Sequence, residues 1–425
     1  MSDDLIDKII KGCKKNKCFF VTGPAGVGKT HLVKKVYEKL KTQGVNVVLS
    51  STTGINALNL GGITVHKLFG LTNRSDMGYI GYMRSSFLFR GISIRLNQID
   101  VIIIDEVSML RADTLELINA ILQKALNNTK PFGGKSIIFT GDFYQIAPVV
   151  KSYETKKTQW IFETPAWTNA DIEVVLLSKI FRQSDPKFID FLQKIRVGKF
   201  DKTMESIVKK CENNKFQEEA TIFFATNNEC EQWNKNKLDK IPGESVTFLA
   251  EIHGKRNKKY AHDKDTIARD CIAKEELALK KGARVIAVVN DKNNRFVNGS
   301  IGYVTDLLNE KGSTKYVEVL FNGDKKPTIV KAHTWTKTNL KGKRLATMKQ
   351  IPLIPAYALT IHKSQGLTLD SAIVDCENIF VSGQLYVALS RVKKMEGLAI
   401  KHFKKEQILV NKNVDDYYQK LNKKA

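Results

Sequence analysis

The sequence predicts an α/β protein made of two parallel-sheet domains, the second interrupted by a β-rich insertion. Three observations lead there. Short apolar runs ending in polar or glycine-containing turns recur over the first 180 residues: CFFVTG (18–23), VNVVLSSTTG (45–54), DVIIIDE (100–106), SIIFTGD (136–142) and IEVVLLS (172–178). Helix-period segments such as HLVKKVYEKLKTQG (31–44) and TLELINAILQKAL (114–126) lie between several of them, and buried strands alternating with helices indicate a parallel sheet. A second set follows in ATIFFATNN (220–228), AYALTIHKSQG (356–366) and SAIVDC (371–376), with a helix near SGQLYVALSRV (382–392). Between its members, residues 245–353 are Lys-rich and carry β-like pieces such as ARVIAVVN (283–290), SIGYVTDLL (300–308) and TKYVEVLF (314–321), punctuated by VNG and FNGD turns.

The expected domains are therefore 1–180, then 181–244 joined with 354–425, with 245–353 inserted. Residues 71–97 break the first domain's rhythm and read as an excursion carrying Tyr79, Tyr82, Phe87 and Phe89. The tail NKNVDDYYQKLNKKA reads as a frayed amphipathic helix closing the second half.

Composition narrows the class. A chain of 425 residues with 42% hydrophobic residues buries real cores and exceeds one ordinary domain. Lys and Arg number 68 against 44 Asp and Glu, a net charge of +24 that fits either a polyanionic partner or a solubilising surface. The six cysteines, at 13, 18, 211, 230, 271 and 376, form no CxxC pair, which argues against zinc and suits free thiols. The N-terminus is charged and acidic, unlike a signal or transit peptide. No apolar run approaches the roughly 20 residues of a membrane span. A cytoplasmic protein with no membrane partner is expected.

The chemistry begins at GPAGVGKT (23–30), which fits G-x-x-x-x-G-K-[ST] between a strand and a helix. Gly23, Pro24, Ala25, Gly26, Val27 and Gly28 form a loop whose N–H groups cradle phosphate oxygens. Lys29 reaches the β- and γ-phosphates of ATP and the Thr30 hydroxyl binds Mg²⁺. In DVIIIDEVS (100–108) a buried strand delivers Asp105, to hold Mg²⁺ directly or through water, and Glu106, to polarise the attacking water. Adjacent carboxylates at a strand end are costly unless a cation or water meets them. GDFYQIAPV (141–149) ends a third strand and offers Gln145 as a γ-phosphate sensor. Arg182 in FRQ and Arg391 in YVALSRV belong to the second half, where arginines supplied across a cleft stabilise transition-state charge. Either arginine taken alone reads equally well as a salt-bridge partner.

Read in order, the chain resembles a superfamily-one helicase of the petite-integration-frequency (PIF) type, akin to the Dda and RecD helicases. The matching segments are GPAGVGKT, STTGINALNLGGITVHKLFG (51–70), IIIDEVSML (102–110), KPFGGKSIIFTGDFYQIAPV (130–149), IFRQSDPKFIDFLQKIRVGKF (180–200), RFVNGSIGYV (295–304), YALTIHKSQGLTLD (357–370) and YVALSRV. Ala147 stands where the family commonly has Pro, and no clear adenine-reading Gln precedes the P-loop. The resemblance implies two RecA-like P-loop NTPase domains, a small wedge at about 71–97 and an inserted β-barrel of the Src-homology-three type.

It also implies an ATP- and Mg²⁺-dependent DNA helicase moving 5′→3′ on single-stranded DNA, opening duplex junctions as a monomer. Replication, repair, recombination or telomere maintenance would be its setting. Gly366 joins the implied nucleotide site. Implied DNA contacts are Thr53, Gly54, His66, Lys67 and Phe69 in the first half, and Thr360, His362, Lys363, Ser364 and Gln365 in the second. Such groups suit phosphate contacts without sequence preference; Phe69 reads either as a base-stacking residue or as core. Two alternatives stay open, an ATP-gated single-stranded-DNA clamp and the motor subunit of a recombination nuclease complex. A small-molecule kinase fits poorly with the charge.

Overall fold

The computed structural model describes residues 3–71, 87–148, 160–214, 220–254, 267–268, 271–293, 295–309, 315–338 and 344–424. The described residues form two compact units, one within Met1–Phe181 and Lys412–Ala425, the other within Arg182–Thr338 and Arg344–Asn411.

In the first unit, β1 (Phe19–Thr22), β2 (Val47–Ser51), β3 (Ile63–Thr64), β4 (Val101–Asp105), β5 (Ser136–Gly141) and β6 (Glu173–Leu176) make one sheet in the order β3-β2-β4-β5-β1-β6. Every pairing in it is parallel. β1, β4 and β5 are buried throughout, which is why they read as unbroken apolar runs rather than alternating ones. The helix Lys29–Thr42 turns Leu32, Val33, Val36 and Leu40 to one face, and with Ile6, Ile9 and Ile10 of the helix Asp3–Cys13 they cover Phe19 and Val21. The opposite face is aromatic: Phe20 and Phe139 meet Trp167, whose ring also lies 5.9 Å from Phe143. The PFGG segment before β5 holds Phe132, Gly133 and Gly134 at positive φ, with Phe132 buried against Phe139. A Cβ at Gly133 would clash with the carbonyl of Leu122.

Two expectations change here. The excursion at 71–97 shortens, because Phe87–Asn97 is a helix whose Ile92 and Leu96 are buried and whose Ser93 Oγ and Asn97 Nδ2 both donate to the carbonyl of Ala125. Apolar residues at 92 and 96 share a helix face, so this part belongs to the domain core. Tyr79 and Tyr82 lie outside the described residues. The C-terminal helix Lys412–Lys424, expected in the second half, packs in the first: Val414 and Tyr418 are buried and Tyr417 stacks on Phe162 at 4.3 Å.

In the second unit, β7 (Thr221–Phe224) is followed, among the described residues, by ten inserted strands. They are β8 (Val246–Leu249), β9 (Glu251–Gly254), β10 (Glu276–Leu279), β11 (Arg284–Ala287), β12 (Ile301–Asn309), β13 (Lys315–Phe321), β14 (Thr328–Lys331), β15 (His333–Thr338), β16 (Arg344–Gln350) and β17 (Leu353–Pro355). All their pairings are antiparallel, in sheets of five (β14-β13-β12-β11-β17), three (β15-β16-β9) and two (β10-β8) strands. The five- and two-stranded sheets share one core that includes Phe248, Val285, Val317 and Leu353. The chain then returns through β18 (Ala358–Thr360), β19 (Ala372–Asp375) and β20 (Leu398–Lys401), which join β7 in a parallel sheet ordered β18-β7-β19-β20. Arg284, buried at the root of the insertion, donates to Thr221 Oγ1 at 3.1 Å and to the carbonyl of Ala356 at 2.7 Å.

Candidate nucleotide site and nucleic-acid interface

In a parallel sheet every strand points the same way, so all carboxyl ends fall on one edge, where such sheets bind ligands. On that edge of the first unit stand the loop after β1, Asp105 ending β4, and the Asp142–Gln145 loop after β5. β1 passes directly into the loop Gly23–Gly28, whose Gly23, Gly26 and Gly28 have φ of 146°, 81° and 84°. At Gly23 a side chain is excluded twice, by that φ and by the carbonyl of Leu177, against which a Cβ would collide. The loop leads into the helix Lys29–Thr42, whose N-terminal end carries the positive pole of its dipole. Lys29 Nζ donates to the carbonyls of Gly23 and Pro24 at 2.8 and 3.0 Å, and Thr30 is exposed.

Asp105 is only 4% exposed. Burial, then the neighbouring Glu106 charge, pushes its carboxyl up to about 7, against the N–H of Glu106 at 2.9 Å and the Lys29 charge. Glu106 itself takes left-handed backbone (φ 56°, ψ 46°), which for a non-glycine residue costs roughly 1–2 kcal/mol. That turn ends the strand and sets two successive carboxylates on the sheet edge. A divalent cation would remove the desolvation and repulsion that hold Asp105 near neutral, so the donor set fits one.

Gln145 is buried, its N–H bonded to the carbonyl of Asp142. Tyr418, from the C-terminal helix, reaches the same place. Its hydroxyl lies 2.6 Å from Thr22 Oγ1, accepts from the N–H of Phe143 at 3.2 Å and donates to Asp142 Oδ1 at 3.4 Å. Nothing in the local sequence marks Tyr418 as a neighbour of Thr22.

The strand-tracking candidates follow β2 and β3 on the same edge. Thr53 caps the helix Gly54–Leu60 by accepting from the N–H of Asn56, and His66 and Lys67 sit on the short helix Val65–Phe69, capped by Thr64. His66 is half-buried, and burial lowers its pKa against the opposing charge of Asp113. Phe69 is fully buried. Base stacking needs an open ring face, so the core reading of Phe69 stands and the stacking one is withdrawn.

In the second unit Arg182 and Arg391, 209 positions apart in sequence, meet on one residue. Arg182 donates to the Ser390 carbonyl at 3.0 Å, and Arg391 donates to Ser390 Oγ at 2.7 Å and to the Val387 carbonyl at 2.8 Å. Gln183, which the sequence reading passed over, donates to the carbonyls of Ser390 and Val392 and locks this corner. Thr360 ends β18, and its hydroxyl accepts from the N–H of Lys363. His362 and Lys363 are half-buried, and burial lowers the pKa of His362. Ser364 is buried and donates to the carbonyl of Ile361, Gln365 Nε2 is buried with no hydrogen-bond partner among the described residues, and Gly366 is exposed at φ 81°. All six cysteines are buried and outside any disulfide, and among the described residues no helix is long and apolar enough to cross a membrane.

A phosphate loop after the first strand of a parallel sheet, with paired carboxylates two strands away, defines the class: a P-loop NTPase. Comparison with known proteins narrows it. A family model described as PIF1-like helicase matches residues 2–209. The ATP-dependent DNA helicase Pif1 of Bdellovibrio bacteriovorus is 31% identical over 403 residues, covering 95% of this chain and 88% of that protein. The ATP-dependent DNA helicase PIF1 of Emericella nidulans is 28% identical over 96% of this chain, but the chain spans only 61% of that relative. Among solved structures, Bacteroides sp Pif1 in complex with ADP-AlF4 superposes with a TM-score of 0.83 at 28% identity, covering 99% of this chain and 97% of that one. Bacteroides Pif1 bound to single-stranded DNA gives 0.67 at 28% identity, covering 99% and 96%. The chain belongs to the PIF1-like helicase family.

Proposed function

We propose that this chain is an ATP-dependent DNA helicase that moves 5′→3′ along single-stranded DNA and separates the duplex ahead of it. The observation that carries the reading is the joining of the Gly23–Thr30 loop and the Asp105–Glu106 pair on one sheet edge, in a chain whose relatives are named DNA helicases. Lys29 meets the β- and γ-phosphates, and Thr30 and Asp105 hold Mg²⁺, which neutralises phosphate charge when bound. Glu106 orients the attacking water and Gln145 senses the γ-phosphate. By their place in the motif order Arg182, Gly366 and Arg391, in the second of two RecA-like domains, are assigned to nucleotide binding, the two arginines to stabilising transition-state charge.

DNA phosphates are gripped by Thr53, Gly54, His66 and Lys67 in one domain and by Thr360, His362, Lys363, Ser364 and Gln365 in the other. The antiparallel insertion is read as the Src-homology-three-type barrel, and the segment ahead of the Phe87–Asn97 helix as the wedge. Direction rests on the family likeness and on the compact β-rich insertion, where relatives of opposite direction carry large helical ones. The test is unwinding of matched duplexes bearing a 5′ tail, a 3′ tail or none. Separation requiring ATP, Mg²⁺ and a 5′ tail is expected. Efficient unwinding from 3′ tails alone overturns the direction, and tight ATP-dependent DNA binding without separation turns the motor into a clamp.

A further inference from the structure

We propose that Tyr418 is a positioning residue for the nucleotide site, acting through the Asp142–Gln145 loop; this rests on the helicase reading above. β1 and β5 are neighbours in register, with Thr22 opposite Gly141. Their ladder ends there, and one residue further on each strand becomes a functional loop: Gly23 opens the phosphate loop, and Asp142 opens the loop that carries Gln145. A sensor is useful only if its distance from the phosphate loop is fixed, yet the sheet supplies no pairing past Thr22 and Gly141. The Tyr418 hydroxyl sits at that point. It shares a hydrogen bond with Thr22 Oγ1, accepts from the Phe143 N–H and donates to Asp142 Oδ1, so it adds a side-chain rung just beyond the ladder.

A phenol hydroxyl has one proton to give and lone pairs to accept with, and here it shares a hydrogen bond with Thr22 Oγ1, accepts from the Phe143 N–H and lies within reach of Asp142 Oδ1. Its ring stacks on Tyr144 of the same loop at 4.8 Å, and Tyr144 in turn donates its hydroxyl to Asp415 at 2.8 Å, one helical turn before Tyr418. Two contacts from one helix face thus hold Phe143 and Tyr144, the residues immediately preceding Gln145. Tyr418 is only 4% exposed, so its hydroxyl faces these partners and not water. Burial alone would be served by phenylalanine; a hydroxyl placed among three polar partners at the junction of two functional loops is there for geometry.

The experiment is steady-state ATP turnover on saturating single-stranded DNA, in the full chain, for the unaltered protein, Tyr418→Phe, Thr22→Val and the double variant. Tyr418→Phe keeps the ring and its stacking. Losing the rung should lower kcat by about three- to tenfold, the weight of one hydrogen bond of ordinary strength. The KM for ATP should hold, because the phosphate loop is untouched, while the melting temperature should fall by a few degrees as the Phe143 N–H loses its buried partner. Thr22→Val removes the other hydroxyl, and the double variant should be no slower than Tyr418→Phe, since the two changes remove the same bond. An unchanged kcat in Tyr418→Phe overturns the proposal. So does a fall in kcat matched by lost ATP-binding stoichiometry, the mark of a merely structural role, and so do independent effects in the double variant. The failures are separable: no DNA-stimulated turnover in the unaltered chain, or normal turnover in Lys29→Ala, defeats the helicase reading and this proposal together. Stimulated turnover with an inert Lys29→Ala and a normal Tyr418→Phe defeats this proposal alone.

Discussion

Replacing Asp105 by Asn should stabilise the protein while destroying its turnover. In the folded chain the Asp105 carboxyl is pushed from its ordinary 3.8 up to about 7, chiefly by burial and then by Glu106. An unfolded Asp ionises near 3.8, so between the two values folding takes up a proton and stability falls as pH rises; above about 7 the loss is complete. Each tenfold in proton affinity is worth about 1.4 kcal/mol, so the ceiling on this loss is about 2 kcal/mol at pH 5 and about 4 kcal/mol at pH 7 and above. Asn has no proton to lose and its Oδ1 still accepts from the Glu106 N–H, so Asp105→Asn should recover much of that loss.

Thermal melting without nucleotide or Mg²⁺, from pH 5 to 8, reads the effect. The variant should melt higher, by about 2–4 °C per kcal/mol for a domain of this size, with the gap widening toward pH 7 and then levelling. Mg²⁺ with a non-hydrolysable ATP analogue should narrow the gap, since both bind the unaltered chain more tightly. A variant that melts no higher anywhere in the range, or a gap that ignores pH, would refute the account of Asp105 as a carboxylate held at a cost for function.

Three further outcomes are expected. Lys29→Ala should lose ATP turnover by orders of magnitude while single-stranded DNA binding, measured by anisotropy, persists. Arg391→Ala and Arg182→Ala should still bind ATP but lose up to about 10³-fold or more in DNA-stimulated turnover, as arginines acting on transition-state charge do; lost ATP affinity with unchanged turnover would make them ground-state binders instead. With a net charge of +24, log affinity for single-stranded DNA should fall linearly with log salt, with a slope of about −0.7 per phosphate neutralised; a flat response would separate that charge from DNA binding.

The nucleotide half of the site was legible because its signals are local. A phosphate loop needs glycines where the backbone takes positive φ, and Gly23, Gly26 and Gly28 stand where the structure takes it. Asp105 could be placed because four apolar residues before it can only be a buried strand, which puts the next polar residue on the sheet edge. Phe69 was ambiguous because an aromatic residue at a helix end reads the same in sequence whether its ring is covered or open, and only packing decided. The Phe87–Asn97 helix was taken into an excursion because the aromatics and arginines before it hid the 92–96 apolar spacing.

The C-terminal helix shows where a sequence reading stops. Its amphipathic period is plain in Val414, Tyr417, Tyr418 and Leu421, and that period says which face is buried but not against what. Proximity in sequence to β20 made the second half the natural host, yet the helix packs beside Thr22, nearly 400 residues away. The motifs escape this ambiguity because a parallel sheet gathers all strand ends on one edge whatever the strand order. No such rule assigns a helix to a sheet face. For Tyr418 the decisive term is instead the hydrogen-bonding need of groups just past a strand end, where the ladder can no longer satisfy them. Asking which buried N–H and hydroxyl groups beside the phosphate loop lack a ladder partner points to a missing polar side chain at Thr22 and Phe143, and so to a donor from elsewhere in the chain. That question exposes a site residue that motif spacing alone leaves hidden.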